Sequence, residues 1–146
     1  MDIYPINPEK TLLISGDIDD WELVRQHGVD TIIDLDGTID ADVPEVANEI
    51  LYIYFPFIDD TLPDERKLTG LGQLVAHLVQ DGQVVLIHCF MGLNRSNLLA
   101  AAALTNLGME GPRVVEHLQS IQPAALYNEA YAEYVQKLPA RNISLD

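Results

Sequence analysis

The sequence predicts an α/β fold: a mainly parallel central sheet flanked by helices on both faces, in a single domain spanning residues 1–146. Three observations carry that expectation. Val84 to Ile87 is a short unbroken apolar run with β-branched residues that suits a strand buried on both faces, and Leu12-Leu13-Ile14, Val29 to Leu35 and Ile50 to Phe55 read as further strands. Segments of helical periodicity lie between and after them, and alternating strands and helices build parallel sheets. The chain has 146 residues and 48% hydrophobic composition, enough for one sizeable core.

Taken in order, Leu12-Leu13-Ile14 forms a strand that ends at Ser15-Gly16. Asp17 or Asp19 can cap the helix that follows, whose Trp21, Leu23 and Val24 supply apolar contacts before Gly28 ends it. Val29 to Leu35 is the second strand. Asp40 to Glu49 is acidic, with Pro44 in a short helix or loop, and Ile50 to Phe55 is a third strand rich in Tyr and Ile. A loop with two prolines and three aspartates, Phe55 to Asp64, leads to an amphipathic helix over Asp64 to Asp81. Its inner face is Leu68, Leu71, Leu74, Val75, Leu78 and Val79, while Gly70 and Gly72 weaken it and allow close packing. After the central strand and its helix, Gly111-Pro112 starts another helix, running to about Ser120. The last helix ends near Leu138-Pro139, and the remainder reads as a tail. His77 and His117 lack partners at metal-ligand spacing and read as surface and structural residues.

The chain is organised around the stretch from Gln83 to Leu104. Val84 to Ile87 reads as a strand, and the small and branched residues after Arg95 as a helix packed on most sides. Between them stands His88-Cys89-Phe90-Met91-Gly92-Leu93-Asn94-Arg95-Ser96. A thiol becomes an effective nucleophile as a thiolate, which a helix N-terminus and nearby cations favour. Phe90, Met91, Gly92, Leu93 and Asn94 place five backbone N–H groups between nucleophile and helix, enough to cradle a phosphate dianion. Arg95 can hold two phosphoryl oxygens in its planar fork. Gly92 supplies backbone freedom, and Ser96 could donate a hydrogen bond to the Cys89 sulfur and ease its departure.

These nine residues resemble the signature of the cysteine-dependent protein phosphatases, specifically the small dual-specificity branch: His-Cys, five residues, then Arg-Ser or Arg-Thr. The resemblance extends over most of the chain from Leu12 to Leu138 and implies a phosphatase-type active loop between strand and helix. It also implies a two-step displacement without metal or cofactor. Cys89 attacks phosphorus, Arg95 and the amides of Phe90 to Asn94 hold the oxygens, and His88 orients the loop and helps keep Cys89 ionised. The family carries its general acid on a loop about thirty residues earlier. Asp59 matches the spacing after the Pro-x-x, with Asp60 as fallback and Asp64 read as a helix cap. Members commonly have Arg-Pro where this chain has Gln122-Pro123, and Phe where it has Tyr131; that departure is expected to cost a structural contact and leave the chemistry intact.

The end of the second strand carries a rival. Asp34-Leu35-Asp36-Gly37-Thr38 resembles the nucleophile motif of the haloacid dehalogenase-type phosphatases, in which the first Asp attacks phosphorus beside Mg²⁺. That chemistry needs a downstream Lys followed by an acidic pair, but Asp59-Asp60 precedes Lys67, and only Lys137 follows. The plainer reading is a strand running into an Asp-Gly turn.

Net charge is −15 with eight Lys and Arg, so no basic stripe is available for nucleic acid or an anionic membrane surface, and neither partner is expected. No signal peptide or apolar span is evident, and a single cysteine fits a reducing compartment, so the expected location is cytoplasmic. The expected substrate is a phosphorylated protein or a small phosphomonoester, with a shallow site open to phosphotyrosine and to phosphoserine or phosphothreonine. Gly92-Leu93-Asn94-Arg95 also resembles the loop of RNA 5′-triphosphatases of this class. Lipid phosphatases often place lysines where Phe90 and Leu93 stand. A module that binds phosphate without turning it over is the remaining alternative.

Overall fold

In the computed structural model, which describes residues 1–142, five strands form one sheet with spatial order β1-β2-β5-β3-β4. The strands are β1 (Ile3–Pro5), β2 (Leu12–Ser15), β3 (Thr31–Asp34), β4 (Leu51–Tyr54) and β5 (Val85–His88), and the helices are α1 (Trp21–Gln26), α2 (Glu65–Gln80), α3 (Arg95–Asn106), α4 (Gly111–Ile121) and α5 (Glu129–Gln136). β2, β5, β3 and β4 are parallel, and β1 pairs antiparallel with β2. The expected α/β architecture is therefore present, with β1 as an addition. That edge strand was not anticipated, because Ile3-Tyr4-Pro5 is too short and too Pro-interrupted to signal a strand.

The strands sort their residues by parity. Leu12 and Ile14 of β2, Ile33 of β3, and Val85 and Ile87 of β5 join the large core with α2, α3, α4 and α5. Leu13, Ile32 and Leu86 face the other way, into a smaller cluster with Val24 of α1. A side-chain period of two thus gives β2, β3 and β5 two buried faces each, whereas the edge strand β4 exposes Leu51 and Tyr54.

Local signals placed most helix ends. The first cap is Asp20, whose carboxylate accepts from the Leu23 amide; neither Asp17 nor Asp19 serves, because the chain stays irregular for one residue more than the spacing implied. Asp64 caps α2 as expected. Gly72 lies against Ala102 of α3 so closely that a Cβ would sit 2.7 Å from the alanine's own Cβ, whereas Gly70 faces open space. Leu74 points to solvent instead of joining the inner face, and Ala76 is buried in its place. α3 is buried over all of Ser96 to Asn106. The segment after α5 is tied down, since the Arg141 amide donates to the Thr105 carbonyl at 2.7 Å, and residues 143–146 lie outside the described part. His117 is structural, with Nε2 2.7 Å from the Ile6 carbonyl oxygen.

At the carboxyl edge of the sheet the register aligns Ser15, His88, Asp34 and Tyr54 in one row. β5 is central there, so the loop that follows it opens between its neighbours, where such folds place ligands.

Candidate active site

The loop from Cys89 to Asn94 is held from below and behind. Gly92 adopts φ +71°, and a Cβ on it would meet the Ser15 backbone at 2.7 Å, so only glycine fits on both counts. Gly16 is required for the same approach, its own would-be Cβ lying 2.9 Å from the Phe90 oxygen. Behind the loop, Gln122 donates through Nε2 to the Gly92 oxygen at 3.1 Å, and Asn97 Nδ2 lies 2.9 Å from the Leu93 oxygen and 3.0 Å from Gln122 Oε1. Gln122 and Asn97 are both buried braces that sequence reading did not assign. Asn97 could have been noticed as an amide just ahead of the small and apolar run Leu98 to Leu104.

Cys89 is buried, and the Gly92 amide donates to its sulfur at 3.2 Å, an interaction that favours the thiolate. The expected hydrogen bond from Ser96 to that sulfur is not formed. The left-handed turn at Gly92 delivers its own amide to the sulfur, and the Ser96 hydroxyl is buried with no partner among the described residues. Phe90 and Met91 are exposed at the rim.

Arg95 opens α3. Its Nη1 donates to the Phe57 oxygen at 3.1 Å and the Leu35 oxygen at 3.3 Å, with Asp36 3.7 Å away, while Nε is buried and has no partner among the described residues. One side of the fork is therefore anchored and the other is unspent. Asn94, the residue before α3, does not cap it with its side chain, so the first-turn amides are left for another acceptor.

That side chain turns to the acid loop instead. Asn94 Nδ2 donates to Asp59 Oδ2 at 2.9 Å, and Asn128 Nδ2 to Asp59 Oδ1 at 3.3 Å. The structure thus brings Asp59 to the edge of the Cys89 loop, on the carboxyl side of the sheet. Tyr131 reaches the same loop, its hydroxyl lying 3.1 Å from the Ile58 oxygen and 3.0 Å from the Thr61 oxygen. The departures at Gln122 and Tyr131 were expected to lose contacts; each gains one, because an amide and a hydroxyl here reach backbone carbonyls.

His88 reaches the carboxylates that follow and end β3. Its Nε2 lies 2.7 Å from Asp40 Oδ2 and 3.6 Å from Asp34 Oδ1, and Nδ1 is buried with no partner among the described residues. Burial pushes the imidazole down, but the Asp40 hydrogen bond and the charges of Asp40, Asp34 and Asp17 outweigh it and raise its pKa. A proton held there adds positive charge one residue from Cys89. Burial raises the pKa of Asp34, even against the hydrogen bonds it accepts from the Tyr52 hydroxyl and the Asp36 amide. Asp34 is fully buried with both oxygens engaged, which leaves the dehalogenase-type reading no approach for a phosphate. Asp34, Asp40 and His88 place ligand-type atoms within 4.8 Å of one another, but these already bond to each other and to Tyr52.

Among solved structures, Tk-PTP in its active form is similar over 93% of this chain and 95% of its own, at 21% identity and a TM-score of 0.74. The human tyrosine phosphatase-like serine/threonine/tyrosine-interacting protein is similar over 92% and 93%, at 18% identity and 0.74. Both likenesses concern the fold. Human dual specificity protein phosphatase 12 is 24% identical over 132 residues, 84% of this chain and 37% of that protein, so this chain spans just over a third of that relative's length. No described helix is long and apolar enough to cross a membrane. The family model of the DSP-PTPase phosphatases of polymorphic toxin systems matches residues 10–109, and with the Cys89-to-Arg95 loop inside that span the chain belongs to this family of phosphatases.

Proposed function

We propose that this domain, residues 1–146, hydrolyses phosphomonoesters of tyrosine and of serine or threonine in proteins through a cysteinyl-phosphate intermediate. The observation that carries this reading is the set of unspent donors around a buried cysteine: Arg95 Nε and the uncapped first turn of α3. Such donors suit the equatorial oxygens of a phosphoryl group, whose charge they stabilise in the transition state. The Cys89 thiolate forms the S–P bond as the P–O bond breaks, and Asp59 gives its proton to the leaving oxygen. Water then attacks phosphorus, Asp59 takes a proton from it, and the S–P bond breaks to release inorganic phosphate. Ser96 is our candidate donor to the departing sulfur, since its buried hydroxyl has no other partner among the described residues. Phe90, Met91, Gly92, Leu93 and Asn94 are the candidate phosphate-binding amides.

A cytoplasmic setting fits the reading, because a thiolate nucleophile with no second cysteine in the chain needs a reducing compartment. Phe90 and Leu93, where lipid phosphatases often carry lysines, favour a protein or small phosphoester over a phosphoinositide, and the charge of −15 disfavours RNA.

The test is hydrolysis of a small aryl phosphate in excess chelator by the wild type and by Cys89→Ser. Activity that survives chelation and disappears with Cys89→Ser is expected. Turnover that needs Mg²⁺ and tolerates the substitution would return the chemistry to Asp34 and Asp36, and no turnover in either protein would favour a phosphate-binding module.

A further inference from the structure

We propose that the first turn of α5 is part of the catalytic apparatus: Asn128 and Tyr131, together with Asn94, are positioning residues that hold Asp59 over the Cys89 loop and act on leaving-group protonation. This rests on the reading of Asp59 as the general acid.

The hydrogen-bond pattern fixes the direction of both amides. Asn128 Oδ1 accepts from the Ala130 amide at 3.0 Å and the Tyr131 amide at 3.4 Å, so its Nδ2 must be the group that faces Asp59. Asn94 Oδ1 accepts from the Asn128 amide at 2.9 Å, so its Nδ2 likewise faces Asp59. The two carboxylate oxygens are taken by different amides, one from the start of α3 and one from the start of α5. A carboxylate held at both oxygens has little freedom to rotate away.

The turn that carries it is held as well. The Asp60 amide donates to the Ile58 oxygen at 2.8 Å, and the Tyr131 hydroxyl sits between the carbonyls of Ile58 and Thr61, one on each side of Asp59-Asp60. Burial, then the charge of Asp59, pushes the Tyr131 hydroxyl up to about 12, so it remains a donor throughout the working range. Ile58, Asp59 and Asp60 are themselves exposed, and the Tyr131 ring is fully buried. An exposed turn is thus anchored to a core side chain. Such exposed turns wander unless tied down.

The test separates acid positioning from a general structural role. In kcat/KM, which reports steps up to phosphoenzyme formation, an activated aryl phosphate with a strongly acidic phenol needs little protonation, and phenyl phosphate needs it fully. Asn128→Ser keeps an N-cap acceptor for α5 and removes the amide donor, and Tyr131→Phe keeps the buried ring and removes the hydroxyl. Each is expected to lower kcat/KM on phenyl phosphate about tenfold, a fraction of a full acid deletion, and to change the activated substrate less than about twofold. Thermal unfolding midpoints check that both variants fold. An equal loss on both substrates, or no loss on either, would overturn the proposal. Asp59→Asn run alongside separates the two levels: if it too shows no dependence on the leaving group, the assignment of Asp59 as the acid fails first, and the clamp with it.

Discussion

Two parallel neighbours in this sheet, β3 and β4, each lead into a pair of aspartates, and each pair resembled a catalytic motif. Asp34 ends one strand with Asp36 just beyond it, and Asp59 and Asp60 follow the other. Asp34 is fully buried, bonded to Tyr52, within 3.6 Å of His88, and engaged by the Asp36 amide. Asp59 is exposed, and both of its oxygens are held by amides at the rim of the Cys89 loop. The difference is not in the residue type. A carboxylate serves structure when its partners close around it, and serves chemistry when its partners fix its position and leave one side open to substrate. Asp34 lies in the row of the sheet that includes His88, where its charge adds to the hydrogen bond and charge of Asp40 in raising the pKa of that ring. Asp59 stands on a loop where its described partners are the amides of Asn94 and Asn128.

The contrast can be broken most directly at the two aspartates. Asp59→Asn should lower kcat/KM on phenyl phosphate by about a hundredfold and leave the unfolding midpoint near the wild type. Comparable activity on phenyl phosphate and on an activated ester would remove Asp59 from the reaction. Asp34→Ala should do the reverse, costing about 2 kcal/mol in urea unfolding because the Tyr52 hydroxyl and the Asp36 amide each lose an acceptor and buried His88 loses a neighbouring carboxylate. A stable Asp34→Ala protein that no longer turns over would mean that Asp34 acts in the chemistry after all.

A smaller effect concerns pH. The folded pKa of His88 is raised above its ordinary value, so the stability it contributes is fully present below about pH 6.5 and is lost as pH rises through the folded value. Asp40→Asn removes the principal partner, and the drop in denaturation midpoint between about pH 6 and pH 8 should shrink. An unchanged pH profile would place the titration elsewhere. NMR titration of the His88 ring gives the same answer directly, with a lower pKa in the variant.

The smallest effect is global. With a net charge of −15, a dianionic aryl phosphate approaches against the field of the protein, and kcat/KM should rise about twofold as salt increases from roughly 20 to 200 mM. Asp36 beside Arg95 adds to that field locally. A steep fall with salt would reveal a basic face that guides substrate.

Much of the fold was legible because it depends on near neighbours in the chain. The apolar runs became strands within a residue or two of their expected limits, and Asp64 capped its helix. The loop from His88 to Ser96 was legible for the same reason, since its residues are covalent neighbours between β5 and α3. The side chains that support it were not. Asn128 meets Asp59 across 69 residues of sequence, and His88 meets Asp40 across 48.

By itself, then, the sequence determined the α/β alternation, the Cys89-to-Arg95 loop and the identity of its chemical groups, because propensity and spacing act over a few residues. Only the tertiary structure decided which aspartate is sealed and which is presented, that Asn97 and Gln122 brace the loop, and that the Gly92 amide and not the Ser96 hydroxyl meets the sulfur. Those outcomes depend on which elements the sheet order sets side by side, and hydrogen bonds between distant segments leave no period or spacing in the chain.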